Sequence, residues 1–243
     1  MNSIDNVPIA MRKTDRISVI LIALYFLVSC AEIYAEYVSA IRYVYYTKPL
    51  IIPLLIFIYC RTSVKINHFY IVALVFSWIA NIFFIRQTFS SIFIGAIFFF
   101  FHRALTIYVI IKHIRLPGLF PIVVGCMPFL FVYLYLVNLT YDVLGDGLPI
   151  FIVQCLIVSL LGGLSVGNII LRPNRAGKFL LLSTLLFAAT QFIFVFRLYY
   201  VGEKFFQPLA MFLFVTGQYI FYRFLILSER DEEARSALAP KDQ

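Results

Sequence analysis

Apolar runs of roughly 20 residues recur along the chain, and short polar segments separate them. Each run is long enough to cross the ~30 Å hydrocarbon core of a bilayer as an α-helix. Because lipid offers the backbone no hydrogen-bonding partner, such segments must satisfy their own backbone groups, whereas the strands of a membrane barrel would alternate in polarity. The pattern predicts an all-α integral membrane protein, a bundle of about eight transmembrane helices. We place these helices at residues 17–38, 45–60, 67–85, 89–111, 118–138, 148–170, 176–197 and 205–227.

Composition and the length of the connections define the domain organisation. Hydrophobic residues make up 63% of the chain and charged residues 13%, and a soluble domain carries roughly twice that charged fraction. No polar insertion interrupts the short connections, so one eight-span transmembrane domain covers residues 17–227. A polar, basic N-terminal tail precedes it at residues 1–16. A polar C-terminal tail follows at residues 228–243, where we expect a helix end that frays into disorder.

The positions of lysine and arginine predict the orientation of the bundle. With eight crossings, both tails share one side of the membrane with the second, fourth and sixth connections, and most basic residues lie on that side. Basic loops remain in the cytoplasm, so both termini are predicted to be cytoplasmic. The net charge of +8 is thus a topology signal, and no basic face is concentrated enough to predict nucleic-acid binding. We expect a bacterial inner membrane, because the chain is compact and has no organelle signal, with a eukaryotic endomembrane as the alternative.

Polar side chains within the spans are the candidates for function, because they are expensive in hydrocarbon. Glu32 and Glu36 lie four positions apart, on one face of the first span. A carboxylate at this depth must be paired or protonated, and Lys48 or Arg103 is the available cation. The further candidates are Ser77, Asn81, His102, Tyr108, Thr190, Gln191 and Gln218. The direction of each span predicts one polar pocket in the outer half, lined by spans one, two, three, four, seven and eight.

Familiar metal and nucleophile motifs are absent from the sequence. The four cysteines lie inside spans and form no CxxC pair, which is typical of small buried hydrophobes rather than of a disulfide or zinc framework. Three histidines cannot supply a di-metal site, and there is no nucleophile elbow, zinc-protease motif or phosphate loop. We therefore expect no metal and no cofactor. Acid–base chemistry by buried carboxylates, His102 and neighbouring amides is the remaining catalytic possibility.

Five short segments carry a resemblance to a known family. They are Thr47-Lys48-Pro49-Leu50 in the second span, Phe76-Ser77-Trp78-Ile79-Ala80-Asn81 in the third, Phe101-His102 with Tyr108 in the fourth, Leu185-Leu186-Phe187-Ala188-Ala189-Thr190-Gln191 in the seventh and Gly217-Gln218 in the eighth. In order, spacing and span they resemble the YhhN-like, or lysoplasmalogenase, family of eight-span membrane proteins. The resemblance extends from about Tyr43 to Leu227, and spans five and six are similar in hydropathy only.

The resemblance implies hydrolysis of the vinyl-ether bond of lysoplasmalogens, which gives a fatty aldehyde and a glycerophospho-base. Such a reaction needs a proton donor for the vinyl-ether carbon and a base that activates water, within a pocket that admits an acyl-like tail. The chain departs from the family at two positions, where Asn81 and Gln191 stand in place of aspartate. An amide can hold a water molecule or a headgroup, but it exchanges no proton at neutral pH.

Three functions are open at this point. The first is a divergent hydrolase in which Glu32 or Glu36 acts with His102 as the acid–base pair. In that hydrolase Asn81 and Gln191 occupy the family's catalytic positions. The second is a non-catalytic protein that binds a lipid or another amphiphile, and the third is a small-solute carrier. Membrane lipids, or a lipid-like ligand, are the expected partners. The residues expected to contact the substrate are Lys48, Glu36, Ser77, Thr190, Gln218 and Tyr108.

Overall fold

The computed structural model describes residues 16–171, 173–199 and 204–238, so most of the predicted N-terminal tail lies outside the described residues. The described residues form eight α-helices and one short 3₁₀ turn, and they contain no strand. The prediction of an all-α bundle is confirmed. The helices are α1 (Arg16–Tyr37), α2 (Ile41–Thr62), α3 (His68–Phe83), α4 (Phe89–His113), α5 (Leu119–Leu144), α6 (Leu148–Leu171), α7 (Arg175–Tyr199) and α8 (Phe206–Leu238).

The helices have the length and the surface of a membrane protein. In the described part of the chain, six helical segments are long and apolar enough to cross a bilayer, and one of them, Leu119–Leu171, contains both α5 and α6. Helix α3 is shorter, at 16 residues. Large apolar side chains cover the outside of the bundle, such as Leu27, Phe57 and Phe131, which are 66%, 62% and 77% exposed. Such a surface suits lipid. The chain is an integral, multi-pass membrane protein, and eight crossings with cytoplasmic termini stay a prediction.

Short connections make consecutive helices antiparallel neighbours, and α8 returns to pack against α1 and α2. The largest apolar core contains buried side chains from α1, α2, α3, α4, α6, α7 and α8. Four of its aromatic side chains, Tyr25, Tyr59, Tyr70 and Phe221, are at most 2% exposed. The Tyr59 and Tyr70 rings meet edge to face with centroids 4.8 Å apart, and the Tyr25 hydroxyl donates to the Val215 carbonyl oxygen at 2.9 Å. This packing fixes the rotation of each helix about its axis, and therefore decides which polar side chains face inward.

Helices α5 and α6 approach closely enough to require small residues at their contact. A Cβ atom at Gly163 would lie 2.5 Å from the backbone oxygen of Ile122, and one at Gly162 would overlap the Phe129 ring. Backbone cannot yield at such a distance, so glycine is needed at position 163. Small residues are the usual means of close helix packing in membranes. The contact holds α6, which forms one wall of the cavity described below, firmly against α5.

Helix α8 continues past the predicted end of the last span and is helical through Leu238. The predicted helix end therefore extends through residue 238, and residues 239–243 lie outside the described part. Within this extension Glu229 is only 5% exposed. Its carboxylate accepts hydrogen bonds from the Tyr59 hydroxyl at 2.8 Å, the Ser63 hydroxyl at 2.7 Å and the Val64 backbone N–H at 3.3 Å. Burial raises the pKa of this carboxyl, and the three donors oppose that shift. The bonds fasten the α2–α3 connection to α8.

Replacing Glu229 by alanine is expected to lower the free energy of unfolding by about 3 kcal/mol, because the buried Tyr59 and Ser63 hydroxyls lose their acceptor. Thermal unfolding of the purified protein in detergent measures the effect. Glu233→Ala is the matched control, since Glu233 lies one helical turn further along α8 in an exposed position. It should change stability by less than about 0.5 kcal/mol. Equal shifts for the two variants would contradict the anchoring role of Glu229.

Candidate functional site

A cavity lies at one end of the helical bundle. Because consecutive helices are antiparallel, the N-terminal parts of α2, α4, α6 and α8 meet the C-terminal parts of α3 and α7 at this end. The cavity holds about 1060 Å³ of atom-free space, counting its open mouth. The cavity is thus an open cleft among these helices rather than a sealed void.

Most of the cavity wall is apolar. Phenylalanine dominates it, supplied mainly by α4, α7 and α8, and leucine, isoleucine, valine and methionine side chains complete it. Wall residues of this kind offer hydrocarbon a favourable contact and offer a polar ligand none. The phenylalanines contributed by these three helices are Phe89, Phe93, Phe99, Phe194 and Phe214.

Four residues predicted from the sequence line this cavity together: Lys48, Asn81, Thr190 and Gln191. They come from three helices, α2, α3 and α7, and the first and last of them are 143 positions apart along the chain. The Asn81 side-chain N–H donates to the Ser77 carbonyl oxygen at 2.8 Å, and the Thr190 hydroxyl donates to the Leu186 carbonyl oxygen at 2.7 Å. One Asn81 N–H and the Thr190 O–H are thus engaged within their own helices, and both side-chain oxygens can accept from a ligand.

Three further polar residues line the cavity: Arg103, Gln154 and Gln207. The sequence suggested Arg103 only as a partner for a carboxylate, and it did not single out either glutamine. Both glutamines are polar residues in apolar helices, so the rule that identified Gln191 could have found them. Among the described residues α1 contributes none to the wall, whereas α6 contributes Gln154, so the expected lining by span one is wrong.

Lys48, Glu32 and Glu36 form an ion cluster next to the cavity, and of these three residues Lys48 alone lines the cavity wall. The Lys48 ammonium lies 3.2 Å from a Glu32 oxygen and 2.5 Å from Glu36 Oε1. Glu32 is fully buried, and Lys48 is 2% exposed. Glu36 also accepts a hydrogen bond from the Gln207 side chain at 3.1 Å, and Gln207 in turn accepts one from Arg197 at 2.6 Å. Lys48 is therefore the cation that pairs with both carboxylates, and the cluster links α1 to α2 and α8.

Arg103 has a different set of neighbours. It enters the cavity from α4, is 3% exposed, and donates through Nη1 to the Gln191 side-chain oxygen. Its guanidinium carbon lies 4.7 Å from the centroid of the Phe99 ring. Among the described residues no carboxylate oxygen comes within 4.0 Å of it. The cavity thus contains a buried cation whose polar contact is a neutral amide.

His102 lies outside the cavity wall, in a separate buried cluster with Ser77 and Gln218. Its Nδ1 is 2.9 Å from the Ala73 carbonyl oxygen, which can only accept, so Nδ1 carries the proton. Its Nε2 is 3.2 Å from the Gln218 amide nitrogen, which in turn lies 3.5 Å from the Ser77 hydroxyl. Both ring nitrogens are therefore engaged within the bundle. The structure places His102 with Gln218 and Ser77, apart from the carboxylates with which the sequence paired it.

Tyr108 lies on the outside of the bundle, away from the cavity. It is 38% exposed and packs edge to face on Phe69 with ring centroids 4.7 Å apart. The Lys112 ammonium lies 4.6 Å from the centroid of the Tyr108 ring. These contacts make Tyr108 part of an aromatic surface around a lysine, so the structure does not bring it to the other candidate residues.

The described part of the chain contains no group of three or more His, Cys, Asp or Glu side chains placed to hold a metal ion. The four cysteines are free thiols. The chemistry available at the cavity therefore comes from one lysine, one arginine, amides and a hydroxyl, with two carboxylates behind the lysine.

Comparison with known proteins adds the family. No curated protein and no solved structure matches the chain significantly. The model of the YhhN family matches residues 43–225, which is most of the chain and includes the described cavity-lining residues. The resemblance found in the sequence is confirmed, and the chain belongs to the YhhN family.

Proposed function

We propose that the cavity binds a single-chain glycerolipid of the lysoplasmalogen class, and that this family member hydrolyses the lipid slowly or not at all. The observation that carries the proposal is the chemistry of the wall: phenylalanines surround a few amides and two cations, and none of the described lining residues is aspartate or glutamate. The cavity thereby has the parts that bind an amphiphile and lacks an acid–base pair at its surface.

The aromatic walls support the binding half of the proposal. A hydrocarbon tail gains by leaving water or disordered lipid for a preformed apolar groove, and a few fixed polar groups then orient the head. Lys48 and Arg103 supply N–H donors, while Asn81 and Gln154 supply carbonyl oxygens that can accept from a hydroxyl. A lipid with one tail and one polar head matches this division.

The side-chain amides at positions 81 and 191 support the proposal that hydrolysis is slow. Protonation of the vinyl-ether carbon needs a donor in the cavity, and activation of water needs a base. Asn81 and Gln191 hold the two positions that the family resemblance assigns to these tasks, and an amide performs neither. Loss of a general acid or base typically lowers a rate by about 10²–10⁴-fold.

A second candidate is a hydrolase that draws its acid and base from the ion cluster. It is favoured by one contact: Lys48 lines the cavity and is 2.5 Å from Glu36. In this scheme the Lys48 ammonium would donate a proton to the vinyl-ether carbon. Ionised Glu36 would take a proton from the attacking water and pass it to Lys48, while Glu32 stabilises the ammonium. Glu32→Gln should then abolish aldehyde release.

We also propose a setting for the cavity. Eight crossings with both termini in the cytoplasm would place the cavity toward the outer face of a bacterial inner membrane, in contact with membrane lipids. Support comes from the basic residues at the opposite end of the bundle, among them Lys112, Arg115 and Arg235, which line a separate polar cavity there.

Binding of a brominated lysophospholipid should quench the fluorescence of Trp78, the single tryptophan of the chain. Trp78 reports on the cavity because its indole N–H donates to the Pro49 carbonyl oxygen at 2.8 Å, next to Lys48. Ala210→Phe, which fills the cavity wall, should abolish saturable quenching. Ala31→Phe, at an exposed position on α1, is the control and should leave it unchanged.

The same samples decide between the two candidates. We expect saturable quenching with little aldehyde release from lysoplasmalogen, and no effect of Glu32→Gln on that release. Rapid release that Glu32→Gln abolishes would favour the ion-cluster hydrolase. Quenching that does not saturate, or that Ala210→Phe leaves intact, would contradict lipid binding in the cavity.

A further inference from the structure

Arg103 is a buried cation without a counter-charge among the described residues. The Arg103 guanidinium is 3% exposed, and its polar contact is the uncharged side-chain oxygen of Gln191. Buried charges are normally paired, because an ion removed from water loses solvation that only an opposite charge and full hydrogen bonding restore. In a membrane-spanning helix the demand is stronger, and intramembrane arginines commonly mark functional sites.

Lys48, the second buried cation of the cavity, differs from Arg103 in its partners. Both cations lie in the wall of the same cavity, and both are at most 3% exposed. Lys48 has carboxylate oxygens at 3.2 and 2.5 Å, so its charge is neutralised inside the protein. Arg103 stacks instead on the Phe99 ring, 4.7 Å from its centroid, and most of its five N–H donors are left for the cavity. The positive charge that a ligand meets is therefore that of Arg103.

The neighbouring helix α6 supplies an acceptor without a donor. Gln154 is 6% exposed, its N–H donates to the Ala96 carbonyl oxygen at 2.8 Å, and its Oε1 has no partner. A buried acceptor in this state calls for a donor from a ligand. These two groups therefore favour a ligand that offers an anionic oxygen group to Arg103 and a hydroxyl or N–H to Gln154.

We propose that Arg103 is the anion-binding site of the cavity, that it takes the phosphate of a lysophospholipid head, and that Gln154 accepts from the neighbouring glycerol hydroxyl. The inference rests on the proposed lipid binding and adds what selects the lipid. The flat guanidinium fork fits two oxygens of one phosphate. A phosphate ester beside a free hydroxyl is the chemistry that distinguishes a single-chain phospholipid from a free fatty acid or a neutral monoacylglycerol.

Two substitutions test the positive charge of Arg103, one by deleting it and one by neutralising it. Arg103→Gln deletes the cation, and Gln191→Glu keeps the size of residue 191 while placing a carboxylate against Arg103. Each should weaken binding of brominated lysophosphatidylethanolamine by at least about tenfold in the Trp78 quenching assay. Each should leave binding of brominated monoacylglycerol within about twofold, because that lipid has no charge. Unchanged binding of the neutral lipid also shows that the variant has folded.

Two controls test whether charge alone is responsible. Arg103→Lys keeps the charge and should retain a preference for the phospholipid. Arg223→Gln removes an arginine that stacks on Phe179 at 5.9 Å and lies outside the cavity, so it should change neither affinity. Inorganic phosphate should displace the phospholipid weakly from the native protein and not at all from Arg103→Gln, and this arm separates a free phosphate from a lipid headgroup.

The outcomes separate this inference from the proposed function. If the native protein binds neither lipid, lipid binding in the cavity fails. If it binds both lipids equally, or if both variants lower the two affinities alike, lipid binding stands and the anion site at Arg103 is overturned. A preference for brominated fatty acid over the phospholipid that depends on Arg103 would overturn the assignment to phosphate.

Discussion

Replacing Asn81 and Gln191 together by aspartate is expected to raise the rate of vinyl-ether hydrolysis by about 10²–10⁴-fold. Both side chains line the cavity, so the new carboxylates would face a bound lipid. The double variant supplies in one step the proton donor and the base that the cavity wall lacks. This is the largest functional change that we expect from any substitution in the chain.

The contacts at positions 81 and 191 favour a protonated carboxyl at the first position and an ionised carboxylate at the second. The Asn81 amide nitrogen donates to the Ser77 carbonyl oxygen, which can only accept, so a carboxyl at position 81 makes that contact in its protonated form. The Gln191 oxygen accepts from Arg103, so a carboxylate at position 191 is held in its ionised form. An acid at 81 and a base at 191 is the separation of roles that acid–base catalysis needs.

Aldehyde release from a lysoplasmalogen, followed over a range of lipid concentrations, measures the effect. The turnover number should rise, while the KM should rise as well, because a carboxylate at 191 neutralises the Arg103 that we propose for the phosphate. Each single variant is a control and should gain far less than the pair, since one group cannot act as both acid and base. A folded double variant as slow as the native chain would contradict these roles.

Replacing Lys48 by methionine is expected to lower the free energy of unfolding by about 3–5 kcal/mol, which is the usual result of removing one partner from a buried ion pair. Lys48 is the ammonium between Glu32 and Glu36, both of which would lose their counter-charge. For a chain of this size the unfolding midpoint should fall by roughly 10 °C. Thermal unfolding in detergent, read out by the fraction that stays monodisperse, measures it.

Glu32→Gln is the informative comparison for Lys48→Met. Glu32 and Glu36 share the Lys48 ammonium, and neither Glu32 oxygen makes a hydrogen bond among the described residues. Removing the Glu32 charge should therefore change stability by less than about 1 kcal/mol. Combining Lys48→Met with Glu32→Gln and Glu36→Gln should recover most of the lost stability. A loss in Glu32→Gln as large as in Lys48→Met would contradict this account of the cluster.

The helices could be predicted from the sequence because their cause is local. A run of roughly 20 apolar residues in lipid has to close its own backbone hydrogen bonds, whatever the rest of the chain does. All eight predicted segments accordingly contain a helix in the structure. The polar extension of α8 could not be predicted in this way. It is ordered by Glu229, whose partners Tyr59, Ser63 and Val64 lie more than 160 positions away.

The membership of the site was predicted only in part. Polarity at membrane depth identified Lys48, Asn81 and Gln191, which do converge on the cavity. The same criterion also selected His102, which the structure engages elsewhere, and it passed over Gln154. Depth along a helix can be read from the sequence, but the direction of a side chain around the helix depends on which neighbours pack against it.

The sequence by itself determined that the chain is a multi-pass helical membrane protein of the YhhN family, and that its spans contain the amides Asn81 and Gln191. Only the tertiary structure decided which of the two buried cations is paired with carboxylates. Packing of α1 against α2 gives Lys48 two carboxylates, while packing of α4 against α7 leaves Arg103 with the amide of Gln191. The reason is that apolar runs are a property of each segment, whereas neutralisation of a buried charge depends on side chains brought together from distant segments.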